Sequence, residues 1–242
     1  MRTGLCRSFC ELLLDVIYPR SCVACGGPVD ENLTHVCFDC RVTYDYIDRP
    51  FCEICGDPVD GLIEHKYVCS WCEAARPCFV NARSAVRFNG ALKHVIHEFK
   101  YSNGAYLVND LGPLLVKCVH TNYTKIGFDC VTYVPLHIRR ERERTYNQSA
   151  LLARYVASDM DLPLLRCIRR SRPTASQVGL SLAERKQNVK HAFIASSNAH
   201  VGMRTVLLVD DVITTGATVN ECARALLDAG AARVYVASVA RG

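Results

Sequence analysis

The sequence predicts an α/β protein in which a mainly parallel sheet is flanked by helices and preceded by a small Cys-rich module. Three observations predict it. The last forty residues read strand, turn, helix, strand, a βαβ unit whose two strands run parallel. Helix and strand patterns of the same kind alternate back to about residue 82. Before that point Gly, Pro, Asp and Cys dominate, and eight of the fifteen cysteines fall in four C-x-x-C knuckles.

A chain of 242 residues is long enough for one packed domain and a smaller module. At its start, Leu5, Phe9, Leu12, Leu13, Val16 and Ile17 predict an amphipathic helix over residues 1–20, packed either on the protein or against a membrane surface. Glu11 and Asp15 interrupt it, and no apolar run reaches the roughly 18 residues of a membrane span. A cytoplasmic location is expected.

Residues 21–74 carry Cys22-x-x-Cys25 with Cys37-x-x-Cys40, then Cys52-x-x-Cys55 with Cys69-x-x-Cys72. The two thiolates of a knuckle can meet one ion, and four thiolates complete the closed tetrahedral shell of structural Zn²⁺. Two structural zinc ions are expected, in two tandem ribbons or in a cross-braced pairing of the same eight residues. Gly26 and Gly56 follow the first knuckle of each set, where a tight turn benefits from glycine. Redox chemistry is the competing reading, and four repeated knuckles weigh against it. Each ion would contribute on the order of 10 kcal/mol to a segment that otherwise lacks a core. Cys6, Cys10, Cys78, Cys118, Cys130, Cys167 and Cys222 read mostly as small core residues.

The modules divide near Glu73 to Ala82, and residues 82–242 form the larger one. Arg83 to Phe88 reads as a strand and Ala91 to Tyr101 as a helix with Leu92, Val95, Ile96 and Phe99 on one face. A second helix covers Leu107 to Val119, Cys130 to Val134 is a buried strand, and Ser149 to Ser158 is a helix with Leu151, Leu152, Tyr155 and Val156 inward. The closing unit is a strand Val206 to Val209, a polar turn, a helix with Val219, Cys222, Ala223, Leu226 and Leu227 on one face, Gly230 as C-cap, and a strand Arg233 to Val239. Ligands of such sheets gather outside the carboxyl ends of the strands.

Charge divides along the same boundary. Residues 1–80 hold seven Lys/Arg and twelve Asp/Glu, a net of −5, whereas residues 81–242 hold 22 and 12, a net of +10. The basic part should meet an anion, either a phosphorylated metabolite, a nucleic acid, or both.

Asp210 and Asp211 fall at the end of the apolar strand, and Thr214, Thr215, Gly216, Ala217 and Thr218 follow where the chain turns into the helix. Free N–H groups at a helix start, a glycine permitting close approach and three hydroxyls can surround a phosphate. Two carboxylates beside them would repel phosphate but accept hydrogen bonds from sugar hydroxyls or hold Mg²⁺ through water. A phosphorylated sugar meets both demands. The competing reading is a capped strand-to-helix turn without a ligand.

The segment VLLVDDVITTGAT, Val206 to Thr218, resembles the signature of type I phosphoribosyltransferases for phosphoribosyl pyrophosphate (PRPP). In that superfamily the acidic pair binds the ribose hydroxyls and the loop binds the 5′-phosphate, with Mg²⁺ present. Across the chain the resemblance narrows to the ComF family of competence-associated phosphoribosyltransferase-like proteins. It rests on paired knuckles, then HEFKY at His97 to Tyr101, VPLH at Val134 to His137, RTYNQ at Arg144 to Gln148, QVGLSLAERKQNVKHAF at Gln177 to Phe193, and the signature last. The resemblance implies a type I phosphoribosyltransferase-like fold behind a double zinc ribbon. It places the pyrophosphate at Pro135, Leu136 and His137. Gln177 to Asn188 looks like the hood that closes over PRPP, with Arg185 and Lys186 approaching the leaving group; Arg185, Asp210 and Asp211 form the implied catalytic set. One departure is visible: Thr145-Tyr146 stands where the family usually has Gly-Phe, so a backbone needing positive φ there would be strained.

The RRERER run from Arg139 to Arg144 either neutralises pyrophosphate, binds a nucleic-acid backbone, or is a solvated helix face. His94, His97, His120, His137, His191 and His200 are scattered, and no general base or nucleophile stands out. Three functions remain open: a phosphoribosyl transferase, a single-stranded-DNA-binding part of the DNA-uptake machinery with regulatory or vestigial PRPP binding, and a PRPP-sensing regulator.

Overall fold

The structure is a computed structural model describing residues 20–30, 33–61, 63, 65–172, 182–196 and 201–242, with backbone alone for Leu182, Ala183, Arg185 and Lys186. Residues 1–19 of the expected N-terminal helix and Gln177 to Ser181 of the expected hood lie outside it.

In chain order the elements are α1 (Phe38–Val42), α2 (Ser70–Ala75), β1 (Ala82–Arg87), α3 (Gly90–Tyr101), α4 (Val108–Asn122), β2 (Cys130–Tyr133), α5 (Ile138–Arg144), α6 (Gln148–Asp159), β3 (Ile168–Arg170), α7 (Leu182–Val189), β4 (Phe193–Ala195), β5 (Thr205–Ile213), α8 (Ala217–Asp228) and β6 (Arg233–Arg241). The main sheet is parallel throughout, in the order β1-β6-β5-β2. β5 is central, and its VLLV run is buried on both sides as parallel strands between helix layers require. Alternation sends Leu207 and Val209 into a core with Leu92, Ile96, Leu111, Leu152 and Val156 of α3, α4 and α6. Val206 and Leu208 face the other way, onto Val219, Ala223 and Leu226 of α8. Sheet and helix periods are therefore consistent with one another on both faces.

Two expectations change. β5 continues through Asp210 and Asp211 to Ile213, because the ladder with β6 persists to Ile213 opposite Arg241; the acidic pair sits within the strand, not in the turn after it. Leu151 and Tyr155 are only half-buried, since α6 turns Leu152, Ala153, Val156 and Ala157 inward and Tyr155 lies against Gly112 of α4. A short antiparallel pair, β3 with β4, was not legible in the sequence; the hood segment leaves from one strand and returns through the other.

Both ribbons pack onto the sheet domain. The first is held by Asp110 of α4, which accepts from Thr34 Oγ1, from the backbone N–H of His35 and from Arg41 Nη2, and pairs with His35 Nδ1 at 2.9 Å. The second lies over β1 and the end of β6. Gly56, at φ 67°, approaches so closely that a Cβ would run into the carbonyl oxygen of Ala82. Arg83 reaches across to the Glu53 carbonyl at 3.0 Å.

Candidate functional site

The eight knuckle cysteines form two separate groups, Cys22, Cys25, Cys37, Cys40 and Cys52, Cys55, Cys69, Cys72, each with its sulfurs within 4.8 Å of one another. The tandem arrangement therefore holds, and the cross-braced one does not. The Cys25–Cys37 and Cys55–Cys69 sulfurs are 3.7 Å apart in both groups. That is the edge of a tetrahedron with bonds of about 2.3 Å, the length of a zinc–sulfur bond. Backbone N–H groups support the sulfurs, Cys37 donating to Cys22 Sγ at 3.3 Å and Cys69 to Cys52 Sγ at 3.4 Å. These are two Cys₄ zinc-binding sites. Their shells are closed by protein sulfur, which leaves no position for a catalytic water. Of the remaining cysteines described, Cys118, Cys130, Cys167 and Cys222 are buried core residues and Cys78 is half-buried.

The acidic pair stands at the carboxyl end of β5. Asp210 is buried; its Oδ1 accepts from Ser149 Oγ at 2.8 Å and from the N–H of Asp211 at 2.9 Å. Burial first, and the neighbouring Asp211 charge second, push its carboxyl up to about 7, against the pull of Ser149 and Lys100. Asp211 Oδ1 accepts from the N–H of Val212 and lies 3.1 Å from Lys100 Nζ. Lys100, at the end of α3, thus already supplies one cation to the pair.

The following loop turns through Gly216, which has φ 74° and ψ −2° and is the N-cap of α8. Thr215 Oγ1 accepts from the N–H of Ala217 at 3.3 Å, closing the first turn. Thr214, Thr215, Gly216, Ala217 and Thr218 line one small depression that reaches Asp210. Concave backbone at a helix start with a left-handed glycine is the geometry that receives phosphate oxygens.

The second loop, Val134 to His137, leaves β2 beside β5, where Val134 N–H donates to the Val209 carbonyl at 3.0 Å. Pro135 is buried, Leu136 and His137 are half-buried, and the His137 Nδ1 caps α5 by accepting from Arg139 N–H. Asn147 Nδ2 donates to the Val134 carbonyl at 3.1 Å. The sheet thereby brings Pro135, Leu136 and His137 to the same edge as Asp210 and Asp211. Arg185 lies on α7, and its side chain is outside the described residues.

Sequence reasoning named no role for four residues that assemble this edge. Tyr146 Oη donates to the Phe99 carbonyl at 2.6 Å, and Gln148 Nε2 donates to the carbonyls of Phe99 and Lys100, both at 3.4 Å. These bonds fix the end of α3 and with it Lys100. Ser149 then reaches Asp210. The available signal was that HEFKY and RTYNQ both carry the family resemblance; Tyr146 and Gln148 of the second meet Phe99 and Lys100 of the first.

A model of the double zinc ribbon domain matches residues 13–73, and a model of the phosphoribosyl transferase domain matches residues 147–242. The chain is 36% identical over 156 residues to competence protein F of Haemophilus influenzae, covering 62% of this chain and 68% of that protein. It is 35% identical over 176 residues to the DNA utilization protein YhgH of Escherichia coli strain K12, covering 69% and 75%. Competence protein ComFC of Bacillus subtilis is 29% identical over 171 residues, with 68% of each covered. Ribbon and transferase matches in this order, on a parallel sheet and two Cys₄ sites, agree with these relatives, and the chain belongs to the ComF family.

Proposed function

We propose that the chain is a phosphoribosyltransferase-type protein that binds PRPP with Mg²⁺ between the Val134–His137 loop, Asp210, Asp211 and the Thr214–Thr218 loop. The observation that carries it is the juxtaposition of the buried acidic pair with a Gly216-centred loop at the start of α8. The loop's N–H groups and hydroxyls would take the 5′-phosphate, and the two carboxylates the ribose hydroxyls. The fit with a cation is chemical: two adjacent buried carboxyls, one of them held near 7, gain from a positive partner. Asp210 and Asp211 would hold Mg²⁺, which supplies charge neutralisation to the departing pyrophosphate.

Transfer requires an acceptor atom to bond to C1 as the C1–oxygen bond breaks and its electron pair leaves with pyrophosphate. Lys100 at 3.1 Å from Asp211 keeps the carboxylate pair from repelling the entering anion. The hood segment between β3 and β4, carrying Arg185 and Lys186, would exclude water from the oxocarbenium-like centre. Positioning and charge supply most of the acceleration such a reaction needs, so the absence of a recognisable general base is compatible with turnover. The names of the relatives, competence protein F and DNA utilization protein, connect this chemistry to DNA uptake or to the nucleotide metabolism that follows it.

A second reading, single-stranded DNA binding without turnover, draws on α5, which buries none of its residues and carries Arg139, Arg140, Arg142 and Arg144. The first reading is tested by calorimetry. Asp210→Asn with Asp211→Asn should abolish Mg²⁺-dependent PRPP binding while the fold survives, and unchanged affinity would remove the assignment. Pyrophosphate release from PRPP in the presence of bases, ammonia or amines separates the enzyme from the binder.

A further inference from the structure

Resting on the reading of Thr214 to Thr218 as the 5′-phosphate loop, we infer that the second Cys₄ centre is a structural part of that site, tied to the loop by Arg241 and Trp71. Arg241 is the last residue of β6, opposite Ile213 in the ladder and therefore beside the point where β5 enters the loop. Its side chain is 7% exposed. Nε donates to Asp57 Oδ1 at 3.0 Å, Nη1 donates to the Thr214 carbonyl, and Nη2 donates to Cys55 Sγ at 3.7 Å. Asp57 belongs to the same knuckle, since its carbonyl accepts from Cys52 N–H at 2.8 Å. One guanidinium fork thus holds a zinc ligand, the turn that carries it and the first residue of the loop.

The planar peptide makes this tie directional. In a trans unit the C=O and N–H point to opposite sides, so fixing the Thr214 carbonyl on Arg241 turns the Thr215 N–H away from that guanidinium. Thr215 N–H is one of the loop's donors. A Cys₄ shell on Zn²⁺ carries a net charge of −2, and a buried cation donating to one sulfur offsets part of it. Arg241 stays in place because the metal centre is there, and the loop keeps its shape because Arg241 is.

Trp71 and the linker add two further ties. Trp71 lies between the ligands Cys69 and Cys72, and its ring covers Gly216, where an added Cβ would stand 3.5 Å from it. A cavity of about 110 Å³ separates Trp71 and Pro77 from Thr215 and Asn220. Just after the ribbon, Cys78 N–H donates to Asn220 Oδ1 in α8 at 2.7 Å. The first ribbon has no such route among the described residues: its anchor is Asp110 on α4. The two zinc centres are therefore inequivalent, and only the second reports to the loop.

Hydrogen exchange on the zinc-loaded full chain tests the link without any ligand. Arg241→Lys offers one ammonium where three partners need a fork. It should retain two zinc ions yet exchange the amides of residues 212–218 about tenfold faster, and bind PRPP–Mg²⁺ about tenfold more weakly. Arg41→Lys, in the first ribbon, should change neither. By reciprocity PRPP should slow chelator removal of one of the two zinc ions in wild type and not in Arg241→Lys. Wild-type exchange and affinity in zinc-loaded Arg241→Lys would overturn the inference. If that variant does not fold, the chain's single tryptophan serves instead. Trp71 emission in wild type should shift on zinc removal, and an unchanged spectrum would overturn the link. Faster loop exchange in Arg241→Lys, with no PRPP binding by wild type, would leave the link standing and remove only the reading of the ligand.

Discussion

At the scale of single residues, Thr145 sits at φ 66°, a left-handed conformation for a β-branched side chain. It is the C-cap of α5, immediately before Tyr146 and Gln148, whose hydrogen bonds fix the end of α3 and Lys100. Glycine relieves this strain, and the Thr145 hydrogen bonds that would be lost are exposed. Thr145→Gly should therefore stabilise the protein by about 1 kcal/mol in denaturant unfolding; a loss of stability would refute the strain. Asp210 gives a second test. Its carboxyl titrates near 7 in the fold against 3.8 for the free group, so between those values the folded state keeps a proton that the unfolded chain has lost. Stability must fall as pH rises through that window and carry the full cost above it. Asp210→Asn should gain on the order of 2–4 kcal/mol over wild type at pH 8 and almost nothing near pH 4. Equal gains at both values would mean that the carboxyl is not held up. The strain at position 145 was visible as a missing glycine, whereas Ser149 bonds Asp210 across 61 residues, a pairing with no local period to announce it.

At the scale of elements, the long amphipathic segments and the VLLV strand were legible because burial imposes their period on every residue. β3 and β4 were not, since three residues each give no period. Nor was the extension of β5 through two acids, which depends on its β6 neighbour. The knuckles announced eight metal ligands, but only the fold could choose between tandem and cross-braced pairing. Docking of the ribbons was equally silent, because Asp110 reads as an ordinary polar helix position. Its side chain is 3% exposed and satisfies Arg41, His35 and Thr34 together. Asp110→Ala strands those partners and should cost about 3 kcal/mol. Thermal unfolding would measure the loss, and chelator kinetics should show one zinc ion released faster while the other is unchanged. Simultaneous acceleration of both would contradict independent docking of the two ribbons.

At the scale of the molecule, charge and architecture divide together: residues 1–80, which contain the ribbons, carry −5 and residues 81–242, which contain the sheet domain, +10. A polyanion is repelled by the first and attracted by the second, so any single-stranded DNA that the chain binds should contact the sheet domain rather than the ribbons. α5 carries four arginines on that domain and buries nothing, yet Glu141 and Glu143 interleave its arginines and Arg144 lies over the Tyr101 ring at 4.6 Å. Its arginines are thus only partly committed to the fold. Each single-strand phosphate neutralised adds about 0.7 to the slope of log affinity against log salt. Replacing Arg139, Arg140, Arg142 and Arg144 by Glu should weaken single-stranded DNA binding and flatten that slope by up to about 3. The same variant should keep its zinc and lose only the modest stability that Arg144 supplies through the Tyr101 ring and Gln148 Oε1. An unchanged slope would take α5 out of any DNA path. A wild type without DNA affinity at low salt would take DNA out of the function and leave the sugar-phosphate edge of β5 as the chain's one proposed anion site.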